Sequence, residues 1–138
     1  MRQAVVVDTG PVYAAIDRDD QYHVQAQAQI QRLNHQGLTI IILQSTLLEA
    51  YSLTLYRLGV KAAHRWLVEI SSGALLVNPT TEDYQQAQQI LLTFHDQSLS
   101  LFDAVLAAVS RRLETPIWSY DHHFDVLRVE VWRERDKA

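Results

Sequence analysis

The chain contains no cysteine. Disulfides, thiolate zinc sites and cysteine nucleophiles are therefore excluded, and the composition fits a reducing compartment. It has no apolar run near the roughly 18 residues that a membrane-spanning helix needs. The opening Met1-Arg2-Gln3 runs straight into Ala4–Val7, too short a stretch for a secretory signal. The expected location is the cytoplasm, with no membrane partner. Basic charge is also scarce: 12 Lys and Arg stand against 16 Asp and Glu, a net charge of −4. Taken alone, that balance speaks against a nucleic-acid binder, because phosphates call for Lys and Arg. Acids gathered around bound cations would reverse that local logic. Linkers, internal repeats and low-complexity tracts are absent as well.

What remains is the profile of an ordinary globular protein, with 138 residues, 48% hydrophobic and 20% charged. That length suits one domain, 1–138, with a core of its own. The β-branched run Ala4–Val7 reads as a buried parallel strand. Gly10-Pro11 then opens a short helix over 12–16, and Asp17–Asp20 is a polar loop. Tyr22–His35 has helical polarity, with Val24, Ala28, Ile30 and Leu33 turned to a core and Gly37 as its stop. Thr39–Leu43 is a second strand. Ser45 or Thr46 would cap the next helix, whose Leu47, Leu48, Tyr51, Leu55 and Leu58 recur at helical spacing up to Gly59. A helix over Val60–Ile70, a break at Ser71-Ser72-Gly73 and a strand over Ala74–Val77 follow. Thr80 and Asp83 form a capping box for a helix reaching about His95, and Ser100 opens another through Leu113. Ile117–Tyr120 is a strand, Val129–Trp132 a candidate last strand, and the charged tail from Arg133 is expected to fray. Strands alternating with helices predict βαβ units and a three-layer α/β/α domain around a mainly parallel sheet of four to five strands.

Ligands of open parallel sheets bind beyond the carboxyl ends of the strands. Asp8 and Asp121 stand at two such ends. Glu49 and Asp103 lie in the first turns of predicted helices, which begin at the same edge. Four acids far apart in sequence thus converge on one place. Clustered carboxylates repel, and a hard divalent cation is the usual resolution. On a phosphodiester such ions generate the nucleophile and stabilise the leaving oxygen. Each acid has a plainer reading too. Asp8 can cap a turn, Thr46-x-x-Glu49 and Ser100-x-x-Asp103 both fit capping boxes, and Asp121 can be a solvated loop residue.

The joint pattern resembles the PIN-domain family, and within it the toxin-like nucleases of the VapC kind. Four blocks carry the resemblance in order over nearly the whole chain: Val5-Val6-Val7-Asp8-Thr9-Gly10-Pro11, Ser45-Thr46-Leu47-Leu48-Glu49-Ala50-Tyr51, Leu99-Ser100-Leu101-Phe102-Asp103-Ala104 and Ser119-Tyr120-Asp121-His122-His123-Phe124. It implies that Asp8, Glu49, Asp103 and Asp121 are the catalytic, metal-site acids. Asp8 and Asp103 would be the strongest ligands, Glu49 a ligand or the orienter of a water, and Asp121 a residue working through water. Thr9 would assist beside Asp8, Ser119 would support by hydrogen bonding, and Phe124 would pack. The cofactor implied is Mg²⁺ or Mn²⁺ and the substrate RNA. A toxin role with a separate antitoxin, and a homodimer, follow from the same resemblance.

Two rivals stand beside it. A receiver-type phosphoacceptor domain would need paired acids after the first strand and a late lysine; only Asp8 follows that strand, and the lysines are Lys61 and Lys137. A non-catalytic PIN-like scaffold or RNA-binding module would retain the acids without cleaving. Elsewhere the plainer readings are preferred. His122 and His123, whose imidazoles could bind a softer metal or touch phosphate, are taken as surface residues, and Asp17, Asp19, Asp20 and His23 as a solvated turn. Arg57, Lys61 and Arg65 are read as solvated, Arg111-Arg112 as either solvated or RNA contacts, and Trp66, Trp118 and Trp132 as packing. Tyr51, Leu55 and Leu58 face a core or a dimer partner.

Overall fold

The computed structural model describes residues 3–133; the tail expected to fray lies almost wholly outside them. Four strands form one parallel sheet in the order β3-β2-β1-β4: β1 is Ala4–Val7, β2 Thr39–Leu43, β3 Leu75–Val77 and β4 Ile117–Trp118. The helices are α1 Thr9–Ile16, α2 His23–His35, α3 Gln44–Leu58, α4 Val60–Gly73, α5 Thr81–Thr93, α6 Leu101–Leu113 and the short α7 His123–Val126. Among the described residues no helix is long and apolar enough to cross a membrane.

Alternation along the strands divides the core in two. Val6, Ile41, Leu43 and Ile117 pack under α5 and α6 with Ala87, Ile90, Ala104 and Leu106. Val5, Val7, Ile42 and Trp118 pack on the other face with Val12, Leu33, Ala50 and Trp66 of α1 to α4. This is the α/β/α layering expected of strands buried on both faces. Trp66 and Trp118 are core residues and Trp132 packs at its margin.

The helix stops at Gly37 and Gly59 have a backbone cause. Both residues adopt positive φ, 72° and 94°, a region open to glycine at little cost. At Gly37 the chain closes a Schellman motif, with Leu38 N–H donating to the Leu33 carbonyl at 2.9 Å and Gly37 N–H to that of Asn34 at 3.1 Å.

Several expectations are corrected. Val24 is 80% exposed and Ala28 also faces solvent; the buried face of α2 is Ala26, Gln29 and Leu33. Gln29 is admitted because its side-chain oxygen accepts from Trp118 Nε1 at 3.0 Å and from the Tyr120 hydroxyl at 2.6 Å. On α3 the buried positions are Ser45, Thr46, Ala50 and Thr54; Leu48 is exposed, and of the residues left open between core and dimer partner, Leu55 and Leu58 are exposed. Neither Ser45 nor Thr46 caps that helix, because β2 runs directly into it with Leu43 at the cap position and no side-chain cap. Glu49 therefore lies in the second turn, and its capping-box reading falls. The last strand reduces to one parallel bridge between Ile117 and Val131. β4 ends at Trp118, leaving Ser119 and Tyr120 in the following turn.

Candidate functional site

β1 and β4 are parallel neighbours with Val7 opposite Trp118, so the chain emerging from both strands does so at one edge. Asp8 is the first residue past β1 and the N-cap of α1, where its carboxylate accepts from the Thr9 amide at 2.8 Å. Ser119, the first residue past β4, donates its hydroxyl proton to the other Asp8 oxygen at 2.7 Å. The same Ser119 oxygen accepts from the Asp121 amide at 2.9 Å. Thr9 turns to α3 instead, and its hydroxyl donates to Glu49. Asp103 occupies the third position of α6, in a reciprocal capping box with Ser100. Both readings of Asp103, cap and site residue, hold together, because capping engages one carboxylate oxygen and leaves lone pairs elsewhere.

Asp8, Thr9, Gly10, Glu49, Asp103, Tyr120, Asp121 and His122 line one open cleft of about 460 Å³. All four acids therefore meet where the sequence places them. Among the described residues no Lys or Arg lines this cleft. Burial raises the acids: Asp8 is pushed up to about 6, chiefly by desolvation, against the hydrogen bonds from Ser119 and Thr9 and with added repulsion from Asp103 and Glu49. Part of Asp8 still reaches solvent, but its carboxylate sits beneath packed atoms, so desolvation dominates. Desolvation leads the upward shift of Glu49 and of Asp103 as well, with Asp103 repelling Glu49 and Asp121 repelling Asp103.

One residue of the site escaped the sequence reading. His122 is a surface residue, its side chain 79% exposed, but His123 is 18% exposed and its Nδ1 lies 2.9 Å from Oδ1 of Asp121. Asp103, Asp121 and His123 offer ligand atoms within 4.8 Å of one another. The available signal was an Asx-turn: the Asp121 carboxylate accepts from the His123 amide at 2.9 Å, and such a turn folds residue i+2 back toward the aspartate.

The other candidates have structural employment. Asp17 accepts from the Tyr13 hydroxyl and the Asp19 amide, Asp20 from the Tyr22 amide, and His23 contacts the Ala14 carbonyl. Arg112 makes a bidentate pair with Asp83, and Arg111 donates to the Leu127 carbonyl. Arg57 sits over the Tyr13 ring, 5.2 Å from its centre. Lys61 and Arg65 are exposed. Tyr51 packs at the core margin and stacks on His64.

Comparison with known proteins places the fold in a family. The sequence model of the PIN domain matches residues 5–130. The fold is similar to that of VapC20 from Mycobacterium tuberculosis, described as a sarcin-ricin loop cleaving toxin, at 22% identity and TM-score 0.82, covering 95% of this chain and 100% of that one. It is similar to VapBC2 from Rickettsia felis, bound to a promoter DNA fragment, at 12% identity and TM-score 0.74, covering 94% and 96%. FitAcB from Neisseria gonorrhoeae aligns at 15% identity and TM-score 0.65 over the same shares. No functionally curated protein matches the chain. At these identities the structural likeness speaks for the fold.

Proposed function

The chain belongs to the PIN-domain family, and from that premise we propose that it is a divalent-metal-dependent endoribonuclease, the toxin of a toxin–antitoxin pair. The observation that carries the proposal is the cleft of four acids with no Lys or Arg in its lining. Such a site repels a phosphodiester until cations occupy it. The donor set fits Mg²⁺ or Mn²⁺, which prefer carboxylate oxygens. When bound, such an ion supplies a nucleophile at neutral pH and stabilises charge on the leaving oxygen.

The chain's own residues have distinct parts. Asp8 and Asp103 hold the ion, Asp8 being oriented by Ser119 and the Thr9 amide. Glu49 has one carboxylate oxygen engaged by Thr9, and its other oxygen is left to orient an attacking water and take its proton. Asp121 lies beside Asp103, with carboxylate oxygens within 4.8 Å, and adds negative charge where a cation would sit. RNA as substrate, an antitoxin and a homodimer are parts of the same proposal. For the antitoxin, a cleft of about 340 Å³ between α1, α2 and α4 would take an apolar segment. It is lined by Pro11, Ile16, Ile30, Trp66 and Ile70, and none of the four acids borders it.

The test is cleavage of total RNA by purified protein with Mg²⁺, Mn²⁺ or EDTA, beside Asp8→Asn and Asp103→Asn. Cleavage that requires metal and disappears in both folded variants is expected. Metal binding without cleavage would instead favour a PIN-like scaffold, and cleavage persisting in both variants would remove the acids from the chemistry.

A further inference from the structure

The four acids do not form one symmetric ring. Asp8 and Glu49 are hydrogen-bonded from Thr9 and Ser119 and present oxygen alone. Asp103, Asp121 and His123 form a second group that includes a nitrogen. The distance within that group is informative. Two donors at right angles on one octahedral ion, with bonds of about 2.1 Å, stand about 3 Å apart. Nδ1 of His123 and Oδ1 of Asp121 stand 2.9 Å apart. With a protonated ring that contact is an ion pair; with a neutral ring the buried Nδ1 makes no hydrogen bond, to Asp121 or elsewhere among the described residues. The Asp121 oxygen instead accepts from the His123 backbone amide. A buried ring nitrogen without a partner is costly, and a shared cation would satisfy both atoms at once.

We propose that His123 is an inner-sphere metal ligand through Nδ1, so that Asp103, Asp121 and His123 form a mixed oxygen–nitrogen subsite, with Asp103 also facing Asp8 and Glu49. The inference rests on the nuclease reading only for the presence of an ion. Its consequence is selectivity. Imidazole suits transition metals, whereas Mg²⁺ keeps to oxygen and water. The subsite bearing His123 therefore takes a transition-metal ion in preference to Mg²⁺.

Mn²⁺ is the probe, because its electron spin reports directly bound nitrogen. Pulsed electron paramagnetic resonance on the full chain loaded with Mn²⁺ should show coupling to one imidazole nitrogen, changed in the expected way by ¹⁵N-histidine labelling. The coupling should vanish in His123→Ala and survive in His122→Ala. Titrations should show Mn²⁺ affinity falling about tenfold or more in His123→Ala, with Mg²⁺ affinity changed by less than about threefold. Bound Mn²⁺ with no nitrogen coupling in the wild-type protein overturns the inference and leaves the nuclease reading intact. Coupling lost in His122→Ala rather than His123→Ala overturns it too. Failure of the wild-type protein to bind Mn²⁺ would take down both readings. The wild-type spectrum decides whether or not either variant folds.

Discussion

Thr80-Asp83 and Ser100-Asp103 are the same local device used twice. Each opens a helix, and each closes a reciprocal capping box in which the aspartate amide donates to the cap hydroxyl and the aspartate accepts from the cap amide. Their surroundings are opposite. Asp83 is buried against Arg112, which donates two bonds of 2.8 Å and holds its carboxyl below the usual range. Asp103 faces Asp121, Glu49 and Asp8 and, among the described residues of the cleft, no arginine, and burial raises it. The cap satisfies the helix end in both places; what faces the remaining oxygen decides whether the acid is a brace or is left free for the proposed metal. A capping-box sequence is thus evidence about helix start and silent about function.

The comparison breaks most sharply through paired substitutions. Asp103→Asn should reduce metal-dependent RNA cleavage by at least about 100-fold while leaving the metal-free fold at least as stable. Asp83→Asn should leave cleavage per folded molecule unchanged and lower unfolding free energy by about 1–3 kcal/mol, less than the loss for a fully buried pair because Arg112 is 41% exposed. Equal losses of activity in the two would mean that Asp103, like Asp83, is only a brace.

Acid-dependence gives a second contrast. Asp8 titrates near 6 in the fold and near 3.8 unfolded. Its contribution to stability is complete below the unfolded value and is lost as pH rises to about 6. Asp83, with a lowered folded value, works the other way: its contribution is present above the unfolded value and lost as pH falls through the folded one. Urea denaturation in EDTA should therefore show the wild-type protein losing about 2 kcal/mol relative to Asp8→Asn between pH 4 and pH 7. Saturating Mn²⁺ should reverse that loss, since binding only the folded state at 100 times Kd adds about 2.7 kcal/mol. A difference that does not change with pH would remove desolvation of Asp8 as its cause.

The smallest effect should be the same on both sides. Thr80→Ala and Ser100→Ala should each cost about 1 kcal/mol by thermal or chemical denaturation, because the caps are alike although their aspartates are not.

Much of this arrangement was legible in the chain, and the failures have separate causes. β-branched runs bounded by turn signals marked the strands, and Gly37 and Gly59 marked helix ends through a backbone requirement. The four acids were legible because parallel topology places strand ends and helix starts at one edge. Val24 and Ala28 were misread because burial goes to whichever residue fits the gap. On α2 a glutamine wins a buried place by accepting from Trp118 and Tyr120, and on α3 the small Ser45, Thr46, Ala50 and Thr54 lie against the interior. The Thr46 cap failed because a strand running straight into a helix leaves no turn for a capping side chain. His123 was missed because adjacent histidines look equivalent in sequence, and only the Asx-turn separates them, sending one inward and one out.

Ser119 has one hydroxyl proton, and it goes to Asp8. The strand preceding it is only two residues long, held to β1 on one side and by a single bridge to Val131 on the other. The bond that orients the carboxylate is thus also among the fastenings of the sheet's shortest strand. If Asp8 holds an ion as proposed, opening of that margin and release of the ion are linked equilibria: an occupied cleft tightens the seam, and a loosened seam empties the cleft. In this chain the site is a clasp on the fold as well as a place for chemistry.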